Sequence, residues 1–294
     1  MNEPEWLAER FEEHRPHLRA VGYRMLGSLS EADDAVQDAW LRVSRAGTGG
    51  VENLGGWLTT VVARVCLNML RSREHRREEP IDVQMSGTVI GREFGGDPEQ
   101  EALTADSVGV ALLVVLDTLT PAERLAFVLH DMFAVPFEEI APMIERSPAA
   151  TRQLASRARR RVKGAAPAPD ADLSRRRRVV DAFLAATRGG DLEALVALLH
   201  PDVVLRADRA VVPTPEPIVV RGAHSVGKGA MAAMERAWFT GTALVDGAVG
   251  LVMAPRGRLR LVLSFTITED GITEIDVIAE PDRLGRIDLA VLDV

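Results

Sequence analysis

The chain has 294 residues, enough for two or three domains, and a formal net charge of −8. Its single cysteine, Cys66, excludes an internal disulfide framework and suits a reducing cytosol. The first residues are charged, and no apolar run reaches membrane-spanning length, which argues against a signal peptide and a membrane partner. We therefore expect a cytoplasmic protein.

Residues 1–78 show the spacing of three amphipathic helices. The second begins at Ser30, where Ser30 and Asp33 resemble a capping box. The third runs from about residue 56 to 77 and carries a ridge of polar residues at three- or four-residue steps. The apolar stripes predicted to be buried are Leu7, Phe11, Leu18, Val21 and Met25, then Val36, Trp40 and Val43, then Leu58, Val61, Val62, Val65 and Met69. The polar ridge is Thr60, Arg64, Asn68, Arg71 and His75.

Residues 79–106 hold seven acids and one basic residue, with little periodicity, which predicts an acidic linker. Helical periodicity returns over residues 107–164. There Thr120 precedes Pro121, and Glu123 occupies the third helical position, a pattern typical of a helix start.

Residues 136–163 predict a helix-turn-helix. Ser147 followed by Pro148 is a strong start signal for its second helix. Between Pro148 and Lys163 there are five arginines, one lysine and no acid. A helix-turn-helix places such a helix in the DNA major groove, where arginines reach phosphates or guanine edges. The alternative is a solvated basic helix at the end of a bundle. The apolar face of the first helix is Phe137, Ile140, Met143 and Ile144.

Residues 165–174 predict a Pro-rich linker, and residues 175–294 an α+β domain in which helices precede a meander of strands. The predicted strands are Val249–Met253, Leu259–Thr268 and Ile272–Ile278, with turns at Asp246-Gly247 and Asp270-Gly271. Carboxylates in an apolar pocket can act as general bases. The candidates for such a pocket are His200, Asp202, Asp208 and Asp276. His200 before Pro201 more simply marks a helix end, so we expect no enzyme. No Cys/His metal spacing occurs, and no metal or cofactor is expected.

Two segments, YRMLGSLSEADDAVQDAWLRV at 23–43 and WLTTVVARVCLNMLRSREHR at 57–76, resemble σ2 of extracytoplasmic-function (ECF) RNA polymerase sigma factors. Residues 116–162 resemble σ4 of the same family. FLAATRGGDLEALVALLHPDVVL at 183–205 and DGITEIDVIAEPDRL at 270–284 resemble the SnoaL-like, NTF2-type domain of the SigJ-like and ECF41-like groups. The resemblance implies a multidomain chain: all-α σ2, an all-α helix-turn-helix σ4, and an α+β NTF2-like cone.

The resemblance also implies partners, namely core RNA polymerase (β′ clamp helices and β subunit) and promoter DNA. The residues it assigns to the polymerase clamp are Asp34, Gln37, Asp38 and Arg42. Those assigned to the −10 element are Trp57, Arg64, Asn68, Arg71 and Arg76, with Trp57 equally open as a core residue. Those assigned to the −35 element are Ser147, Thr151, Arg152, Ser156, Arg157 and Arg160. A cone of this type often encloses a pocket, so a small ligand of the C-terminal domain is a further partner left open.

Four departures from the family pattern bear on mechanism. Pro142 lies inside the first helix of the helix-turn-helix and should bend it, and Glu145 occupies a turn position where glycine is common. The linker lacks the Trp-Leu-Pro-Glu-Pro segment of the ECF41-like group. The closing Asn-Pro-Asp-Lys-Leu motif of that group is replaced by Glu280, Pro281, Asp282, Arg283 and Leu284.

The main interpretation is a promoter-specific sigma factor that its C-terminal domain tunes in cis, with the sign of that effect open. In this hypothesis Pro281–Leu284 contacts the acidic linker, where Arg283 meets Glu99 or Glu101. A stand-alone, ligand-sensing DNA-binding regulator is the second interpretation. A SnoaL-like enzyme with a DNA-binding appendage is the third.

Overall fold

The computed structural model describes residues 3–46, 51–78, 109–164, 171–211 and 216–292. The chain divides into two compact units. The first comprises Met1–Met85 and Leu116–Arg160, and the second comprises Ser86–Val115 and Arg161–Val294. The predicted linker at 79–106, with Glu99 and Glu101, lies outside the described residues.

Three helices, α1 (Glu3–Leu26), α2 (Leu29–Ala46) and α3 (Leu54–Glu78), pack on one another in the first unit. All five predicted core positions of α1 are buried, as are Val36 and Val43 of α2. On α3 the buried side also takes in Cys66, Leu67 and Leu70, while Val61 and Met69 are only half-buried.

The predicted start of α2 is wrong by one residue, because the helix begins at Leu29. The prediction that Ser30 and Asp33 form a capping pair is also wrong. The Asp33 carboxylate instead accepts hydrogen bonds from the Arg19 guanidinium of α1, at 2.8 and 3.1 Å.

The following helices are α4 (Val110–Asp117), α5 (Pro121–Phe127), α6 (Phe137–Ile140) and α7 (Pro148–Lys163). A π-helical turn, Val128–Met132, follows α5. The predicted capping box at the start of α5 is confirmed: Thr120 Oγ1 accepts from the Glu123 N–H, and the Glu123 carboxylate accepts from the Thr120 N–H. The predicted bend at Pro142 is also confirmed, because α6 passes into a 3₁₀ turn at Ala141–Met143.

The second unit contains one mixed seven-stranded sheet in the order β2-β1-β6-β5-β4-β3-β7. Only β1 and β6 pair in parallel among the described strands. The strands are β1 Leu199–Ala207, β2 Ile218–Arg221, β3 Thr240–Val245, β4 Ala248–Met253, β5 Leu261–Thr268, β6 Gly271–Ile278 and β7 Leu289–Ala290. The helices are α8 Ala171–Gly189, α9 Leu192–Leu198, α10 Ala223–Ala232, α11 Met234–Ala237 and α12 Pro281–Leu284.

Helix α8 packs on β3 and β4, and its Phe183 meets Phe265 of β5 with ring centroids 5.4 Å apart. The three predicted strands and both turns are present, with Asp246 (φ 49°) and Gly247 (φ 81°) forming the two-residue β3–β4 hairpin. The predicted fold class is therefore confirmed: helical regions precede a domain of helices on a mixed sheet, an arrangement that fits an NTF2-type cone.

The linker predicted at residues 165–174 is not the boundary of the second unit, which also includes residues that precede it in the chain. The Val291 N–H donates to the Val162 carbonyl at the end of α7, at 3.0 Å. Val110 of α4 packs so close to Gly241 of β3 that a Cβ there would lie 2.8 Å from the Val110 Cβ. Backbone pairing and close packing thus tie both ends of the predicted σ4 segment to the C-terminal sheet.

Candidate nucleic-acid interface and C-terminal cavity

Two local features shape the turn that precedes α7. Ser147 Oγ accepts a hydrogen bond from the Ala150 N–H at 3.2 Å, as an N-cap residue does. Glu145 adopts φ 54°, the left-handed conformation that explains why glycine is common at this position. The exposed turn is therefore closed and capped despite the departure from glycine.

The two sides of α7 differ sharply. Ala155, Ala158 and Val162 are fully buried, while Arg152, Arg157 and Arg160 are exposed on the opposite side. The Arg152 guanidinium lies 5.2 Å from the centre of the Phe137 ring, which restrains it at the turn. Arg159 points elsewhere and pairs with Asp131. The helix therefore presents a cationic face that includes these three arginines, with Ser156 partly exposed beside them.

Thr151 does not belong to that face. Its side chain is fully buried, and its hydroxyl donates to the Ser147 carbonyl at 3.0 Å. The assignment of Thr151 to DNA contact is therefore corrected: the residue closes the first turn of α7 from the protein side.

The predicted polymerase-binding residues lie together on α2. Asp34 and Gln37 are exposed, and Asp38 pairs with Arg42 at 2.8 Å one turn later. Glu31, which the sequence places on the same acidic side, is instead engaged by Arg73 of α3. Asp34 and Asp38 thus carry exposed acidic charge on this side of α2.

On α3, three of the predicted −10 residues, Arg64, Asn68 and Arg71, are exposed at spacings of four and three residues, so they share one helix face. Trp57 is partly buried near the start of the helix. The side chain of Arg76 lies outside the described residues.

A buried arginine, Arg124 of α5, is a feature that sequence reasoning missed. Its side chain is 2% exposed; Nε donates to the Arg24 carbonyl at 3.2 Å and Nη1 lies 3.6 Å from an Asp117 oxygen. Its buried Nη2 has no hydrogen-bond partner. Burial lowers the Arg124 pKa from 12.5 to about 10, and nearby Asp117 opposes that shift. Its position after an N-cap and amid apolar residues gave no sequence signal of this environment.

Cys66, predicted as a small core residue, is fully buried in α3. Burial raises the pKa of its thiol to about 12. The thiol is therefore protonated and chemically quiet at neutral pH.

The Pro281–Leu284 segment forms α12 directly after β6, and the described contacts of its Arg283 are local. Arg283 Nη1 lies 3.6 Å from an Asp208 carboxylate oxygen, and the predicted contact of Arg283 with Glu99 or Glu101 lies outside the described residues. Asp208 is buried, and its Oδ2 accepts from the N–H groups of Ala279 and Glu280 at 2.8 and 2.9 Å. Asp208 is thus an anchor for the chain that leaves β6.

A cavity of about 340 Å³ lies between the sheet and helices α8, α10 and α11. Its lining is mostly aliphatic and includes Leu205, Val226, Leu251 and Ile275. The four candidate pocket residues are absent from its lining: His200, Asp202, Asp208 and Asp276. The catalytic interpretation of those residues is therefore not supported. Across the described ranges no cluster of three His, Cys, Asp or Glu side chains suited to a metal ion occurs.

Comparison with known proteins defines the class of protein to which this chain belongs. The Sigma-70 region 2 family model matches residues 10–76, and the Sigma-70, region 4 model matches residues 109–162. The ECF RNA polymerase sigma factor SigJ of Mycobacterium tuberculosis is 38% identical over 293 residues, covering 93% of this chain and 91% of that protein. The probable ECF sigma factor SigI of the same organism is 33% identical and covers 98% of each chain. The chain belongs to the ECF RNA polymerase sigma factors.

A crystal structure of M. tuberculosis SigJ is similar over 95% of this chain and 98% of its own, with 33% identity and a TM-score of 0.45. The family directs RNA polymerase to promoters, so this chain is a transcription-initiation protein. No helix within the described ranges is long and apolar enough to cross a membrane.

Proposed function

We propose that the cationic face of α7 contacts the −35 element of the promoter and that the exposed ridge of α3 contacts the −10 element. The observation that carries the first assignment is the division of α7, with Arg152, Arg157 and Arg160 exposed opposite a fully buried side. Arginines at the start of such a helix reach base edges, and later ones hold phosphates. Such a protein acts where core polymerase and the chromosome lie, in the cytoplasm.

The test is promoter-specific transcription with purified core polymerase and the full chain. Arg157→Ala removes one exposed cation, a loss of about 1–3 kcal/mol, or roughly 5- to 150-fold in promoter affinity. Arg159→Ala is the matched control on the same helix, because Arg159 is already paired with Asp131. Equal promoter output from Arg157→Ala and the wild type would remove the assignment. DNA binding without any stimulated transcription would instead favour a stand-alone regulator.

We propose that the exposed part of α2, with Asp34, Gln37, Asp38 and Arg42, binds the β′ clamp helices of core polymerase. Asp34→Arg with Asp38→Arg reverses two exposed charges and leaves the buried Val36 stripe intact. We expect the double variant to lose co-purification with core polymerase and to keep its helicity.

The matched control for that double variant is Glu9→Arg with Glu13→Arg, which reverses two exposed acids four residues apart on α1. The control should retain core binding. Loss of binding in both double variants would show that net charge, rather than this α2 surface, decides the association.

We propose that the C-terminal domain tunes promoter use through its contact with the end of α7. The Val291–Val162 hydrogen bond supports this, as does the fit of Ala290 against Gly164, where a Cβ would lie 2.3 Å from the Ala290 Cβ. Truncation before Pro281 is a poor test, since it also removes β7, whose Ala290 is buried. A single substitution at the contact is cleaner.

Gly164→Ala introduces that clash at φ 63°, whereas Gly109→Ala meets the same backbone strain at φ 81° with nothing within 4 Å. We expect the Gly164 variant to change transcription from the cognate promoter, in either direction, and the Gly109 control to change it less. The distance between labels in the σ2 and σ4 regions, read by energy transfer, should change with it. Identical output and identical distances in both variants would end the proposal of cis regulation.

A further inference from the structure

The C-terminal cavity is lined mostly by apolar side chains, with a few polar groups among them. Aliphatic side chains from the sheet and from α8 and α10 make up most of the wall. The polar residues of the lining are Thr187, Ser225, Arg236 and Thr240. The hydroxyl protons of Thr187 and Thr240 are committed to the carbonyls of Phe183 and Arg236, at 2.8 and 3.0 Å. Arg236 is thus the one charged residue in the described lining.

Arg236 stands in this wall without an acid beside it in the described lining. Its backbone N–H donates to the Ala233 carbonyl at 2.9 Å, and its carbonyl accepts from the Thr240 hydroxyl at 3.0 Å. A guanidinium at an apolar cavity favours a ligand anion, because a charge-assisted and often bidentate hydrogen bond offsets its desolvation. Among the described lining residues, a ligand ammonium group would find no counter-charge.

The volume limits the size of the ligand. A dry cavity of about 150 Å³ in another protein holds benzene. The cavity of about 340 Å³ here is a little more than twice that volume, which suits a bicyclic or medium-chain apolar body of roughly 10–14 non-hydrogen atoms. We propose that the C-terminal domain binds a small apolar carboxylic acid, with its hydrocarbon body in the cavity and its carboxylate on Arg236. This inference does not depend on promoter recognition.

The charge requirement is tested by calorimetric titration of the full chain with 2-naphthoate, decanoate and the neutral 2-naphthylmethanol. We expect both acids to bind and the alcohol to bind at least tenfold more weakly. Arg236→Met should weaken 2-naphthoate binding at least tenfold while changing alcohol binding less than about threefold. Arg236→Gln, which keeps a hydrogen-bond donor, should lie between them and guards against a folding defect of the first variant.

The location is tested at Gly229, which lies on α10, lines the cavity and has no atom within 4 Å of a Cβ built on it. Gly229→Leu should therefore add a bulky side chain at the cavity wall without a clash and weaken the binding of all three probes. Gly189→Leu is the matched control, a helical glycine with equally open space but outside the lining. The proposal is overturned if neither acid binds at millimolar concentration, if the alcohol binds as tightly as 2-naphthoate, or if Gly229→Leu binds like the control.

Discussion

Replacing Arg124 with methionine should leave the first unit at least as stable as the wild type. The pKa of this buried guanidinium falls from 12.5 to about 10, and each pH unit of such a shift corresponds to about 1.4 kcal/mol. The folded state thus bears a net cost of roughly 3 kcal/mol, which remains after Asp117 has partly offset the desolvation of the guanidinium. Methionine removes that cost and keeps most of the side-chain volume. It gives up the hydrogen bond to the Arg24 carbonyl, worth about 1–2 kcal/mol.

Two further variants separate charge from packing. Arg124→Ala also loses the buried volume and should be less stable than Arg124→Met by about 2–4 kcal/mol. Asp117→Asn removes the partly compensating carboxylate and should destabilise the wild type by about 1–2 kcal/mol, yet have little effect in the Arg124→Met background.

The assay is denaturant unfolding followed by tryptophan fluorescence. Three of the four tryptophans, Trp6, Trp40 and Trp57, lie in the first unit, so Trp238→Phe leaves a signal specific to it. The sign of the pH dependence is a second check. Because the folded pKa lies below the unfolded one, wild-type stability should rise relative to Arg124→Met as the pH increases through about 10. Equal destabilisation by methionine and alanine would refute the reasoning.

Three other outcomes are expected. Cys66, whose thiol pKa is raised to about 12, should resist iodoacetamide at pH 8 until the protein unfolds; rapid labelling of native protein, seen by mass spectrometry, would contradict its burial. Asp208→Ala should lower the unfolding free energy of the second unit by about 2–4 kcal/mol, because the backbone N–H groups of Ala210, Ala279 and Glu280 lose their acceptor, while Asp270→Ala in an exposed turn should not. Thr151→Val should bind promoter DNA within about twofold of the wild type by fluorescence anisotropy, and a tenfold loss would restore the hydroxyl to the DNA contact.

Helical periodicity and cap chemistry predicted most of the first unit. The buried stripe of α1 and the Thr120 capping box depend on residues a few positions apart, so the local sequence is enough to predict them. Thr151 was assigned to DNA contact through the family resemblance alone, which does not show that its side chain lies on the buried side of α7. Arg124 could not be predicted, since its burial depends on the distant Arg24 carbonyl.

The second unit was predicted less completely. Strand β1 was missed because Pro201 and charged residues interrupt its alternation, and because it pairs in parallel with β6, about 70 residues later in the chain. The cavity was expected only in outline. Arg236 lies in the cavity wall where α11 packs near the sheet, and no local sequence pattern predicts that packing.

Each of the two units is built from two separate segments of the chain, so its parts are synthesised at different times. Val110 of α4 leaves the ribosome long before Gly241, the residue against which it packs. The gap is 131 positions, or roughly 7 to 26 s at ordinary bacterial elongation rates. During that interval the nascent promoter-reading helices exist without the sheet that receives the ends of their segment. Under the proposed cis regulation, each newly made molecule therefore passes through an interval in which the C-terminal sheet has not yet been synthesised and cannot act on those helices.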